Sequence, residues 1–351
     1  MTVTGIVRVV VDSSKRVSGS VVDFKFDASA VFTQATLKEN LPYMCVLESI
    51  STVSYSEHSA TYAVHALQPK FLLLTCPQLR ASNAYESWQT GGTSTIVAPL
   101  QTACTTGGSG VYAACADLPY ARTKHLGTII EDDTLNKNGR LSFKLYKGFN
   151  AGNPLITACA TPNNTTVWAK DFSFTLVFFP TSVPKPERPI QPYYDFHKLY
   201  LSTTDRYNRL STYVNDCMVP VKYTTHGAMN IFRGQWYMVV EFVSPIVHYY
   251  TDAATLPATI YLASDSFLQA NTSNSRHLCA LNRKNRPNEI AVYGQKYSMK
   301  PASRDMIGVE ISTPLENMSF INLKLVDASG ALVDASKIED FFVCLTVFRH
   351  Y

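Results

Sequence analysis

Apolar and polar residues alternate in short runs along the whole chain, and no long stretch carries the 3.6-residue period of an amphipathic helix. In the first half the pattern predicts strands near 4–11, 20–26, 43–55, 61–76, 95–100, 126–131, 140–147 and 170–179. In the second it predicts them near 198–202, 213–222, 236–250, 258–264, 276–281, 289–299, 306–312, 318–326 and 340–349. Short helical turns are expected near 83–89, 153–159 and 332–338, as connectors and not as layers. The chain is read as all-β.

The two halves meet at a proline run. Pro180, Pro184, Pro186, Pro189 and Pro192 lie within FPTSVPKPERPIQPYY, each fixing φ and removing a backbone donor, so the run joins neither a helix nor a central strand. An extended spacer is expected. Each half closes on an Asp followed by eight largely apolar residues, Asp171 to Phe179 and Asp340 to Phe348. Four more segments match in the same order: Arg16–Asp23 with Arg209–Asp216, Met44–Ser51 with Met238–Ser244, Leu74–Asn83 with Leu262–Asn271, and Leu141–Tyr146 with Ile321–Val326. The offsets fall from 193 and 194 through 188 and 180 to 169, as expected of two copies of one fold with longer loops in the first. The expected organisation is two tandem eight-stranded jelly-roll sandwiches, at 1–180 and 195–351, with a Pro-rich linker at 181–194.

Composition narrows the function classes. Charged residues are only 17% of the 351 and aromatics 12%, which fits β-rich domains with extensive buried or partner-facing surface. The net charge is +4 with no basic arm, and the nearest cluster, Arg276–Arg286, reads as a strand with a charged loop, so direct nucleic-acid binding is not expected. No apolar run is long enough for a membrane span, and the alternating N-terminus reads as a first strand and not a signal peptide. Intracellular synthesis and free thiols follow as expectations. The NxS/T sequons at Asn163, Asn164, Asn271 and Asn317 are then unused. Cys45, Cys76, Cys217, Cys279 and Cys344 fall in or beside strands, where a small buried thiol is the default. Whether Cys104 and Cys115, flanking Gly107–Gly110, form a pair is left open. The extra length of the first half, Asn83 to His125, is rich in small residues and reads as a surface loop or a partner contact.

No catalytic, cofactor or metal constellation emerges. The histidines are isolated, with no HxH or HExxH; His58 and His65 with Glu57 are a weak metal signal. There is no GxSxG elbow, and Gly107–Gly110 lacks the Lys-Ser/Thr of a phosphate loop. Glu131, Asp132 and Asp133 are adjacent carboxylates that alternate in direction on a strand end. What remains is surface: Tyr193, Tyr194, Phe196, Tyr200, Tyr207, Tyr213, Tyr223, Tyr237, Tyr249 and Tyr250 crowd the linker and the second half. Tyr193, Tyr194, Tyr249 and Tyr250 are the candidate assembly interface.

The paired closing strands and the paired strand-and-turn segments, Leu79 to Asn83 and Phe267 to Asn271, resemble the double jelly-roll capsid proteins of icosahedral DNA viruses and their jelly-roll penton and minor relatives. The resemblance implies a structural virion protein, made inside the host cell, that self-associates through its side faces. It implies a homotrimer forming a pseudo-hexameric capsomer, with other capsid proteins and an internal membrane as partners and with no cofactor. The long tower insertions of the larger major capsid proteins are lacking, so facet and minor positions both remain open. A tandem jelly-roll carbohydrate- or receptor-binding protein, with a cleft lined by Trp88, Trp168 or Trp236, is the alternative. An amide- or glycoside-cleaving enzyme using Glu131 or Asp133 is a further one.

Overall fold

The computed structural model describes residues 6–34, 43–51, 53–58, 71–81, 83–87, 94–106, 111–117, 128–130, 139–148, 157–158, 167–169, 171–180, 195–207, 214–221, 236–244, 246, 256–267, 277–284, 296–299, 309–311 and 320–349. In chain order the strands of the first half are β1 (Val7–Asp12), β2 (Ser18–Gly19), β3 (Asp23–Asp27), β4 (Tyr43–Ile50), β5 (Val53–His58), β6 (Phe71–Thr75), β7 (Ala84–Glu86), β8 (Ile96–Thr106), β9 (Val111–Asp117), β10 (Thr128–Ile130), β11 (Arg140–Gly148), β12 (Thr157–Ala158), β13 (Val167–Ala169) and β14 (Ser173–Pro180). Those of the second are β15 (Asp195–Ser202), β16 (Asp216–Pro220), β17 (Trp236–Val243), β18 (Thr259–Ala263), β19 (His277–Lys284), β20 (Lys296–Met299), β21 (Val309–Ile311), β22 (Phe320–Val326) and β23 (Phe342–Arg349). One short helix, α1 (Ser29–Gln34), follows β3.

The chain divides into two compact units, Met1–Asn83 with Thr93–Pro192, and Ala84–Gly92 with Tyr193–Tyr351. In the first, one sheet runs β1-β14-β4-β10 and the other β13-β5-β9-β8-β6-β11-β3-β2, with β12 on β11. In the second the sheets run β21-β17-β23-β15-β7 and β16-β22-β18-β19-β20. The alternation that predicts the strands also places the core. Val7, Val9 and Val11 of β1 are buried while Arg8 and Val10 face out. The inward residues meet Leu176 and Phe178 of β14, Phe24 of β3 and Phe143 of β11 in one cluster, where the Phe143 and Phe174 rings meet edge-on at 4.9 Å.

The two units share an arrangement of individual hydrogen bonds. In the first unit Ser13 exchanges backbone and side-chain bonds with Phe172 (both 2.9 Å), while Arg16 bonds the Ser13 carbonyl at 2.7 Å and the Asp171 carboxylate at 2.9 Å. In the second unit Thr203, Phe341, Arg206 and Asp340 repeat the arrangement, with Arg206 on the Thr203 carbonyl at 2.7 Å and on Asp340. Further along, Asp23 pairs with Lys144 across β3 and β11, and Asp216 faces Lys324 across β16 and β22. The counterpart of Arg16 is therefore Arg206 and not Arg209: the loop before β16 is three residues longer than the one before β3, so a match anchored on Asp23 and Asp216 slips at its start.

Four local expectations are overturned. In place of the helical turn expected near 153–159, Thr157–Ala158 forms β12 against β11, and the segment from Asn83 to His125, read as a surface loop, carries β7 and the paired strands β8 and β9. Where a helical turn is expected near 83–89, Ala84–Glu86 forms β7 and pairs in parallel with Lys198–Tyr200 of β15. The single strand expected over 43–55 is two, β4 and β5, which lie in different sheets. The turn near 332–338 is present as a 3-10 turn at Ala335–Lys337, capped by the Asp334 carboxylate on the Ser336 N–H.

Candidate functional site

A buried group of polar side chains lies on the sheet of the second unit that contains β7. On β15, Leu199 and Leu201 point to one face, and Lys198, Tyr200 and Ser202 to the other. The ladders set Lys198 opposite Thr346, Tyr200 opposite Cys344 and Ser202 opposite Phe342 on β23, with Glu86 of β7 opposite Tyr200. A bulge in β17 between Val240 and Phe242 turns Glu241 onto this same face. Its carboxylate accepts from Lys198 Nζ at 3.0 Å and Thr346 Oγ1 at 2.7 Å, with Cys344 Sγ at 3.7 Å.

These groups are buried: Lys198, Tyr200, Cys344, Thr346 and Glu86 are all closed to solvent or nearly so. A buried ion pair holds only when its remaining hydrogen-bonding capacity is also met, and Thr346 supplies that here. Burial is the main cause that pushes the Tyr200 phenol well above its usual range, with Cys344, Glu241 and Glu86 adding to it. Burial likewise raises the Cys344 thiol, helped by Glu241 and opposed by Lys198. Both groups stay protonated at neutral pH, so neither is an activated nucleophile or base. The arrangement ties four strands together. Ser87, just after β7, adds to this, donating its N–H to the Tyr200 carbonyl (2.9 Å) and its hydroxyl to Asp205 (2.8 Å), and accepting from the Ser202 N–H (2.9 Å).

The exposed features are different in kind. Tyr207 is 81% exposed, and its ring meets that of Phe320 edge-on at 5.8 Å. Met218, whose carbonyl accepts from the Tyr207 N–H at 2.9 Å, is also exposed. Together they form an apolar patch on the outward side of β16 and β22.

Tyr193, Tyr194, Tyr249 and Tyr250, the interface residues expected from sequence, lie outside the described residues, as do Trp88, His65, Glu131 and Asp133. Trp168, Trp236, His58 and Glu57 sit on β13, β17 and β5. Of the other tyrosines singled out, Tyr200 is fully buried and Tyr207 is open to solvent. The β8–β9 register aligns Cys104 with Ala114 and Cys115 with Ala103, so the two cysteines are not cross-strand partners. Cys45, Cys76, Cys217 and Cys344 are buried and Cys279 is half-buried, none of them in a disulfide. No cluster of potential metal ligands occurs among the described residues, and no described helix is long and apolar enough to cross a membrane. Met218 and Phe320 were missed as surface residues, although a signal exists: Phe320 shares the outward phase of Asn322 and Lys324 in FINLKLV, where an alternating strand carries polar groups.

No family model matches this chain, and a search of the curated proteins finds no match.

Proposed function

We propose that the chain is a structural virion protein, a double jelly roll whose copies associate through their side faces to build an icosahedral shell. The observation that carries the reading is one strand order occurring twice. Each unit shares eight strands: β1, β3, β4, β6, β8, β10, β11, β14 in the first, and β15, β16, β17, β18, β19, β21, β22, β23 in the second. Counted in chain order, one sheet of each runs first, eighth, third, sixth, and the other second, seventh, fourth, fifth. That is the order expected of a jelly roll, two Greek keys folded onto each other.

The test is the native mass of the purified chain, with negative-stain images of the same sample. A trimer with a six-sided outline is expected, and pentamers would assign a vertex position. A strict monomer at high concentration in both low and high salt would overturn the shell reading and favour a tandem binding module, to be followed by a glycan screen.

A further inference from the structure

β1 ends its sheet, with β14 on one side and no described strand on the other. It is regular in register along its whole length and carries neither a proline nor a bulge to discourage pairing at that edge. The Ser13 N–H bonds the Phe172 carbonyl, which fixes the phase of the ladder. Val7, Val9 and Val11 direct their backbone groups to β14, and Arg8, Val10 and Asp12 direct theirs outward. The matching edge of the second unit is closed. There β7 lies along β15, and the Ser87 N–H bonds the carbonyl of Tyr200, the counterpart of Val10.

The side chains of the same three residues complement an antiparallel copy of themselves. Arg8, Val10 and Asp12 share the outward face, in the order cation, apolar, anion. Reversed and centred on Val10, that order sets each valine opposite its own copy and each Arg8 opposite an Asp12. A parallel copy in register would set like charges side by side. Both charges keep capacity to spare. Glu48 takes Arg8 Nε and Nη2, and Ser14 takes Asp12 Oδ1, while Arg8 Nη1 and Asp12 Oδ2 have no partner among the described residues.

We infer that β1 of one copy pairs antiparallel with β1 of a second copy about a two-fold axis at Val10, joining their four-stranded sheets into one. The contact stands on β1 alone and goes beyond the shell reading: a two-fold relation links pairs of copies, whereas the trimer of that reading needs a three-fold one. The outward groups of the three residues meet those of the second copy and exchange on the order of six backbone hydrogen bonds. The opposed valines and the two charge pairs fix the register. Val10, 63% exposed, is covered in the process.

Three variants of the full chain test this. Opposed Cα atoms in a hydrogen-bonded antiparallel pair lie about 5.5 Å apart, within reach of a disulfide. Val10→Cys should therefore cross-link copies into dimers on mild oxidation, above the wild-type background on non-reducing gels. Arg8→Cys should not, because the two copies of that position stand roughly 14 Å apart in this register. Val10→Pro removes the outward N–H and leaves the β1–β14 ladder intact, so circular dichroism should be unchanged. Its dissociation constant by sedimentation should rise about tenfold or more. Equal cross-linking of both cysteine variants, or none from Val10→Cys, would overturn the contact whatever the proline does. Folded Val10→Pro that associates like wild type would also overturn it, with the trimer of the shell reading left standing. Dimers that cross-link through Val10→Cys but build nothing larger would uphold the contact and overturn the shell reading.

Discussion

Val10 on β1 is 63% exposed, and Tyr200, its counterpart on β15, is 0% exposed. The contrast extends across the sheet. Where the first unit has Ser49 and Ser173 on this face, the second has Phe242 and Phe342, both buried, with Phe342 stacked on Tyr200 at 6.1 Å. The inward faces tell the opposite story: Val9, Val11, Leu47 and Leu176 correspond to Leu199, Leu201, Val240 and Leu345, and all are buried. Both units also keep a bulge that projects a glutamate, Glu48 in β4 and Glu241 in β17, across the intervening closing strand toward a cation on the first strand, Arg8 or Lys198. The backbone device is shared, and its surroundings are not. A fold repeated in one chain is held by its inward periodicity and its corner hydrogen bonds, while an outward face is free to become either surface or interior.

The sharpest way to test that difference is to remove the same glutamate twice. Glu48 and Arg8 are 37% and 63% exposed at the side chain, and such pairs contribute about 0–1 kcal/mol. Glu241 and Lys198 are 12% and 6% exposed. Glu241→Ala leaves Lys198 buried without its carboxylate and Thr346 without its acceptor, at an expected cost of about 3–5 kcal/mol. Urea denaturation should show Glu48→Ala near wild type and Glu241→Ala strongly destabilised. Equal losses would mean that the outward face of the second unit is as wet as that of the first.

Alkaline pH separates the units next. Burial raises the Cys76 thiol of the first unit and the Cys217 thiol of the second to about 12. Cys344 and Tyr200, both of the second unit, are also raised, by burial first. A raised folded pKa means that the unfolded chain ionises first. The stability these thiols contribute is therefore complete below pH 9 and is lost as pH climbs from 9 towards 12. Each thiol changes the balance by about 1.4 kcal/mol per pH unit in that window. Urea midpoints should fall from pH 9 upward. Cys76→Ser, which copies its counterpart Ser264, should remove one thiol's share of the slope. A midpoint that stays flat to pH 11 would contradict the burial of these groups.

Much of the β architecture is legible in the alternation of apolar and polar residues. Seventeen strand positions expected from alternation each overlap an observed strand, because burial on one face of a sheet writes itself into the sequence with period two. The duplication is legible where the closing strands repeat, since Asp171 and Asp340 each fix a corner that both units need. Short elements are not. β7 is three residues long and is defined by its partner, β15, more than 100 positions away, which no local pattern encodes. α1 has six residues and was not expected, being too short to show a helical period. The contrast between the outward faces is half legible: serines at 49 and 173 against phenylalanines at 242 and 342 stand in the sequence, but only the pairing shows that they are counterparts.

The smallest effect has the opposite sign. The Tyr200 hydroxyl is buried and has no hydrogen-bond partner among the described residues. A buried hydroxyl that exchanges water for nothing costs about 1–3 kcal/mol, of which removing it recovers a part. Tyr200→Phe keeps the ring and its stacking on Phe342, so it should raise stability by about 1 kcal/mol, read as a higher urea midpoint with an unchanged slope. The same exchange at Tyr207, 81% exposed, should leave the midpoint unchanged, because that hydroxyl already reaches water. If Tyr200→Phe is destabilising instead, the hydroxyl is bonded in solution, and the outward face of the second unit carries a polar function that the first unit lacks.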